Sequence, residues 1–234
     1  MRSAKAIFVK QMRDTRKNPM VLIQFILFPV ITFIMTVMVA MPTDDIPNNI
    51  FLSMFAGMFA GMGPLVATAG AIAEDREKKS LRFLVMAGVK PHEYLLGIGG
   101  FILLVSAVVS VFFGLIGLIA GFSVIELINC ILILLLGSAT SILLGAAIGI
   151  LSKNQQTATS ISVPVFMVLS FVPMIGQFND TVAKAAGILY TQQISVIVND
   201  FSAPIVKPIL IILANFVVFT ALFILAYKKK GLKG

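Results

Sequence analysis

Long apolar runs alternate with short polar segments along the whole chain. A membrane-spanning helix needs about 20 mostly apolar residues. Six runs reach that length, at residues 20–40, 49–73, 94–120, 125–151, 157–176 and 206–227. The pattern predicts an all-α integral membrane protein with six transmembrane helices, forming a single transmembrane domain over residues 1–234.

Composition supports a membrane protein and excludes several kinds of chemistry. Only 12% of the residues are charged, against about 25% in soluble domains, and the mean hydropathy is +1.02. The net charge of +8 comes from basic residues at the ends of apolar runs, which is not the pattern of a nucleic-acid-binding face. Cys130 and His92 are the sole residues of their types, so no disulfide framework, metal site or intramembrane metalloprotease centre is expected. No phosphate-binding GxxxxGK[ST] loop occurs, and we predict no catalytic residue.

The distribution of basic residues predicts the orientation. If both termini are cytoplasmic, the inner segments hold all Lys and Arg residues except Lys184 and Lys207. This asymmetry follows the positive-inside rule. We therefore expect both termini to be cytoplasmic, with a basic cytoplasmic tail at residues 228–234. Short length and the absence of targeting signals favour a multi-pass protein of a bacterial plasma (inner) membrane.

Two segments outside the spans are predicted to form short helices at the membrane surface. In residues 1–17, Ile7, Phe8 and Met12 alternate with basic residues, which indicates an interfacial helix on an anionic inner leaflet; the simpler alternative is a solvated basic tail. Residues 177–205 are too apolar for a solvated loop of that length. Asn179 and Asp180 can cap a helix from Thr181, so we predict re-entrant outer helices here.

The segment 74–91, between spans two and three, is densely charged. A helix over residues 77–89 would place an apolar stripe beside basic and acidic side chains, which suits docking into a groove of a soluble protein. The simpler alternative is an ordinary solvated inner loop. The candidate contact residues are Glu74, Asp75, Arg76, Glu77, Lys78, Leu81, Arg82, Leu84, Val85 and Gly88.

The spans themselves carry small residues and few polar ones. The pairs Gly57/Gly61, Gly117/Gly121 and Gly145/Gly149 have the small-xxx-small spacing that permits close helix approach. Prolines 29, 64, 164 and 173 fall inside spans, where neighbours must satisfy the carbonyls that proline leaves free. No ionisable residue lies mid-span, which argues against an ion or proton relay.

The basic start of the chain runs into Arg13-Asp14-Thr15-Arg16-Lys17-Asn18-Pro19 before a span with Phe28-Pro29, and a second distinctive stretch runs from Ala73 to Gly97. With these stretches the chain resembles, over nearly its whole length, the permease subunits of type-2 ABC exporters. The resemblance implies that the 77–89 helix is a coupling helix that docks on a separate ATPase subunit. It also implies two ATPases per working unit, a second permease that is identical or a sister chain, and no cofactor in this chain, because the ATPase binds ATP and Mg²⁺.

The substrate path and the cargo are hypotheses at this stage. A path between spans two and five would be lined by Met54, Met58, Met62, Thr68, Ser162, Phe166, Ser170 and Phe171; Met and Phe surfaces adapt to varied apolar ligands, but they also serve as ordinary packing or lipid-facing residues. The expected cargo is a hydrophobic or amphipathic peptide, peptide antibiotic or drug, moved outward. The alternatives are lipid or glycan export in the same family, a scaffold or sensor subunit, and a secondary carrier or channel.

Overall fold

The structure, a computed structural model, describes residues 2–17, 19–42 and 46–231. Its helices are α1 (Arg2–Lys17), α2 (Pro19–Met35, continued by a π-helical turn Thr36–Ala40), α3 (Ile50–Glu77), α4 (Ser80–Met86), α5 (Pro91–Ile119), α6 (Val124–Leu151), α7 (Gln155–Gly176), α8 (Asp180–Ala186), α9 (Tyr190–Asn199) and α10 (Val206–Ala226, continued by a π-helical turn Tyr227–Gly231). Within the described ranges, six of these helices are long and apolar enough to cross a membrane. The prediction of an all-α protein with six spans is confirmed. Residues 1, 18, 43–45 and 232–234 lie outside the described residues, so the predicted helix 1–17 and the predicted tail 228–234 are described only in part.

Helix α3 is the centre of the bundle and packs against α5, α6, α7 and α9. In the most apolar stretch of each helix, 72% of the α3 residues are buried inside the protein, against 17% of the α10 residues. Glycines allow α6 to lie directly on the α3 backbone: a Cβ at Gly149 would lie 2.8 Å from the carbonyl oxygen of Ala69, and one at Gly145 would overlap that of Leu65. The predicted close approach at this glycine pair is confirmed.

The other two glycine pairs have different outcomes. Gly57 and Gly61 face α9 and α7, and a Cβ at Gly61 would lie 2.9 Å from Ser170 Oγ, so this pair also mediates helix contact. Gly117 and Gly121 instead end α5: the Phe122 N–H donates to the Gly117 carbonyl at 2.8 Å and Gly121 has φ of 106°. The prediction of helix approach was wrong for this pair, because the two residues form a Schellman-type helix end.

The predicted outer segment 177–205 contains α8 and α9. Asn179 Oδ1 accepts from the N–H groups of Thr181 and Val182 at 3.0 and 3.2 Å, which confirms the predicted cap. Helix α9 is buried over eight of its ten residues and packs on α3, α6, α7 and α10. Tyr190 of α9 contacts the Ala60 carbonyl of α3. Ala60 lies ten residues after Ile50, the first residue of α3, so this contact is about 15 Å along the helix from its start, at 1.5 Å per residue.

Tyr190 and Thr191, which we call the α9 hydroxyl pair, bind carbonyls that prolines leave free. A proline has no N–H to donate to the carbonyl four residues earlier. Pro64 thus frees the Ala60 carbonyl, which accepts from Ser141 Oγ and, at 3.4 Å, from Tyr190 Oη; the two hydroxyl oxygens are also hydrogen-bonded to each other at 2.5 Å. Pro173 frees the Leu169 carbonyl, which accepts from Thr191 Oγ1 at 2.5 Å. The proline-interrupted helices α3 and α7 are therefore completed by side chains of neighbouring helices.

Helix α1 packs its apolar side on α5. A Cβ at Gly97 would lie 2.6 Å from Ile7 Cβ and 3.0 Å from the Ala4 carbonyl oxygen, and Phe8 contacts Phe101 edge to face with ring centroids 5.6 Å apart. The amphipathic helix predicted for residues 1–17 is present over Arg2–Lys17. Its apolar side faces another helix of the protein.

Candidate functional site

The ends of α3 and α6, the starts of α5 and α7, and the helices α1 and α4 meet at one end of the bundle, which we call the basic end. At its centre, the Asp75 side chain binds Lys10 Nζ and accepts from Tyr94 Oη at 3.0 Å. Asp75 is only 3% exposed, and burying a carboxylate is costly unless it is paired and hydrogen-bonded. This Asp75 cluster (Lys10, Asp75 and Tyr94) ties α1, α3 and α5 together.

The neighbouring carboxylates also have partners within the chain. Glu74 binds Lys78 Nζ at 2.5 Å one turn away, and this hydrogen bond raises the pKa of the Lys78 ammonium. Glu77 Oε2 accepts from the backbone N–H of Gln155 at 3.1 Å, at the first turn of α7. Three of the predicted contact residues, Glu74, Asp75 and Glu77, therefore have hydrogen-bond partners inside this chain, and their role in docking stays a prediction.

Helix α4 presents a different apolar face from the predicted one. Leu81 is 6% exposed and belongs to the core, and Leu84 is half-buried against the same core. The exposed apolar side chains are Phe83, at 69%, and Met86, at 74%. The predicted stripe is thus the inner face of α4, because Leu81 and Leu84 hold the helix on the bundle while Phe83 and Met86 point outward.

The ends of α4 are set by two residues with positive φ. Lys79, with φ of 58°, separates α3 from α4, and Gly88, with φ of 79°, follows the last turn. The Val89 N–H donates to the Leu84 carbonyl at 3.0 Å, which is the Schellman arrangement. The helix therefore spans Ser80–Met86 instead of 77–89, and Gly88 terminates it rather than lining its contact face.

The remaining predicted contact residues are placed only in part. The side chains of Arg82 and Val85 lie outside the part of the chain that the structure describes. Arg76 is half-buried on the last turn of α3, and one of its guanidinium nitrogens is buried with no hydrogen-bond partner among the described residues. Among the predicted contact residues whose side chains are described, Arg76 thus has a buried hydrogen-bond donor without a partner.

The residues predicted for a substrate path lie on α3 and α7, which pack directly against each other. Ser170 Oγ donates to the Met58 carbonyl at 3.3 Å across this contact. Phe171 is exposed. The others are buried or half-buried: Met54, Met58, Met62, Thr68, Ser162, Phe166 and Ser170. A path along them would require α3 and α7 to separate, and their role stays a prediction.

Sequence reasoning missed Phe83, Met86, Lys10 and Tyr94. Phe83 and Met86 have i, i+3 spacing, so the sequence could also have predicted an apolar face formed by these two residues. Lys10 and Tyr94 are 65 and 19 residues from Asp75, and no local pattern connects them. Only the packing of α1 on α5 brings the three side chains together.

Taken together, the geometry defines a multi-pass membrane protein whose basic end carries a short helix, anchored on its inner face and apolar on its outer face. The sequence matches the family described as "ABC-2 family transporter protein" over residues 9–225. The chain belongs to this family, so it is an ABC transporter permease. Permeases of this family work in general with an ABC ATPase. No curated protein matches the sequence.

Proposed function

We propose that the chain is the membrane-spanning subunit of an ATP-driven exporter, and that Phe83 and Met86 on α4 form its contact with the ATPase. The observation that carries this proposal is the exposure of two large apolar side chains on a helix outside the spans. Two such residues side by side on an anchored helix fit insertion into an apolar groove of a soluble partner. The contact lies at the basic end, which the positive-inside rule assigns to the cytoplasm.

The connection from α4 to the spans supports a mechanical role. Only Lys78 and Lys79 separate α3 from α4, and Leu81 fixes α4 to the core. A force on α4 therefore acts directly on α3, the most buried span. The Asp75 cluster joins α3 to α1 and α5, so these helices would move as one body when the ATPase subunits close.

The proposed cargo is a hydrophobic or amphipathic peptide, peptide antibiotic or drug, moved outward by two permeases and two ATPases. The long apolar surfaces of the spans and the adaptable Met and Phe side chains on α3 and α7 support this class of cargo. The predicted path runs where Ser170 now bonds to Met58, so transport would begin with separation of α3 from α7.

Reconstitution tests this proposal. The chain and its candidate ABC ATPase are placed in liposomes, and ATP-dependent movement of a fluorescent amphipathic peptide is measured for the wild type, Phe83→Asp and Phe178→Asp. Phe178 is a matched control because it is 70% exposed at the opposite end of the bundle. We expect Phe83→Asp to abolish ATP-dependent transport and ATPase binding, and Phe178→Asp to retain both.

Two results would overturn the proposal. Transport driven by an ion gradient without ATP would make the chain a secondary carrier. Equal ATPase binding by wild type and Phe83→Asp would place the contact elsewhere.

A further inference from the structure

A cavity of about 290 Å³ opens between α1, α2, α3 and α7 at the basic end. Its walls carry the carboxylates of Asp14 and Glu74 and the carboxamides of Gln11, Gln24 and Gln155. No Lys or Arg is among its described lining residues, although basic residues crowd this end of the protein. The cavity is therefore an acidic, hydrogen-bonding recess within a basic surface.

One wall residue has an unused hydrogen-bonding group. Thr15 lines the cavity, is 4% exposed, and its Oγ1 has no partner among the described residues. In a helix, a threonine hydroxyl commonly bonds to the carbonyl four residues earlier, as Thr32 does with Phe28 at 2.7 Å. A buried hydroxyl without a partner is costly, and a ligand that donates a hydrogen bond would relieve that cost.

The nearby cations reach the carboxylates from outside the cavity. Lys78, whose side chain is 66% exposed, binds Glu74, and Lys10 lies 3.9 Å from Asp14 while it also binds Asp75. A surface pair such as Glu74–Lys78 is weak, so an ammonium that enters the cavity can replace Lys78. The side chains of Glu74 and Asp14 are 34% and 45% exposed, so both can be reached from solvent, and a cleft lined by charges of one sign concentrates counter-ions locally.

We propose that this cavity binds the ammonium group of an amphipathic cation, with Asp14 and Glu74 as charge partners and Thr15 and the three glutamines as hydrogen-bonding groups. Its volume is at the lower limit for a drug-sized ligand, which suits a head group whose apolar remainder lies along the spans. Identifying the cation as cargo rests on the proposed export function, and it narrows the cargo to amphipathic amines.

The first test uses the wild-type chain in phosphatidylcholine nanodiscs. Three fluorescent probes share one fluorophore and one alkyl chain but end in an ammonium, a hydroxyl or a carboxylate, and their Kd values are compared by fluorescence anisotropy. We expect the ammonium probe to bind about tenfold more tightly than the hydroxyl probe. Equal binding of the ammonium and hydroxyl probes, or tighter binding of the carboxylate probe, would overturn the proposal.

Variants then locate the binding. Asp14→Asn combined with Glu74→Gln should remove the preference for the ammonium probe, while Lys78→Gln should strengthen it by freeing Glu74. A Cβ at Gly70 would meet only Gln155 Nε2, at 3.8 Å, so Gly70→Ala should fill part of the cavity and weaken binding severalfold. Gly100→Ala is the matched control, because its Cβ would meet only Phe8, at 3.9 Å. An ammonium preference unchanged in the double variant would place the site elsewhere.

The two proposals fail separately. Probe binding is measured without ATPase or ATP, so loss of ATP-dependent transport leaves its result unaffected. If transport is ATP-driven but the ammonium probe has no preference, the exporter stands and the cation site falls. If the probe binds in the cavity but no ATP-dependent transport occurs, the site stands without its identification as a cargo site.

Discussion

The Asp75 cluster and the α9 hydroxyl pair join helices by opposite means. The cluster uses a carboxylate and an ammonium at the basic end, where Lys10 is 41% exposed. The α9 hydroxyl pair uses neutral side chains on backbone carbonyls, and both residues are fully buried. Charge holds helices at the surface end of the bundle, and neutral hydroxyls complete helices inside it.

The difference follows from the cost of burying charge. An ion in an apolar interior requires full compensation, which Lys10 and Tyr94 supply for Asp75 at the basic end. Inside the bundle, the free carbonyls at Ala60 and Leu169 need only one donor each. The charged contacts therefore lie at the basic end, where Lys10 is partly exposed, and the neutral contacts lie inside the bundle.

The largest difference in stability between the inside of the bundle and the basic end is expected when a side chain is added at a glycine contact. Gly145→Ala forces α6 away from the Leu65 carbonyl and should lower the free energy of unfolding by about 3 kcal/mol. Gly97→Ala displaces only α1 from α5 and should cost about 1 kcal/mol. Unfolding titrations in micelles measure both, and Gly100→Ala serves as the control, because its Cβ would make only an ordinary contact with Phe8 at 3.9 Å. A larger loss at Gly97 than at Gly145 would contradict this assignment of the core.

The Lys10–Asp75 contact should show measurable coupling. A double-mutant cycle with Lys10→Met and Asp75→Asn should give about 1.5 kcal/mol, as for a hydrogen bond to a charged group. The same cycle on Glu74 and Lys78, each changed to Gln, should give about 0.4 kcal/mol, typical of an exposed i, i+4 pair. Equal coupling energies for the two pairs would mean that burial of Asp75 does not strengthen its interaction with Lys10.

The link between Pro173 and Thr191 predicts a rescue. Thr191→Val leaves the Leu169 carbonyl buried without a donor and should cost about 1.5 kcal/mol. Pro173→Ala restores an N–H four residues after Leu169, so the double variant should recover most of that loss. Thermal unfolding of the four proteins checks this. Additive losses would show that Thr191 acts through packing alone.

Tyr190→Phe should lower the free energy of unfolding by about 0.6 kcal/mol, the average for hydrogen bonds between membrane helices, which is less than the losses expected for Gly97→Ala and Thr191→Val. Ser141 still donates to the Ala60 carbonyl in that variant. In unfolding titrations, the double variant Ser141→Ala/Tyr190→Phe should lose more free energy of unfolding than the sum of the two single variants, because the Ala60 carbonyl then has no donor. Simple additivity would indicate that the two hydroxyls act independently.

Hydropathy was sufficient to predict the six spans, since each apolar run is long and continuous. The residue types alone predicted the Asn179 cap, and the small-xxx-small spacing predicted the close helix contact at Gly145 and Gly149. The outward face of α4 was not predictable in the same way, because Leu81 and Phe83 are both large and apolar and only packing decides which one is buried. The Asp75 cluster and the α9 hydroxyl pair depend on contacts between distant segments, so no local pattern could reveal them.

Contact between α4 and the ATPase is the central claim, and site-specific photo-cross-linking tests it most directly. A photoreactive phenylalanine analogue is placed at Phe83 or at Phe178 in cells that co-express the chain and its candidate ABC ATPase subunit. The account predicts a cross-link to the ATPase from position 83 and none from position 178. A cross-link from position 178 alone, or from neither position in an assembled complex, would contradict it.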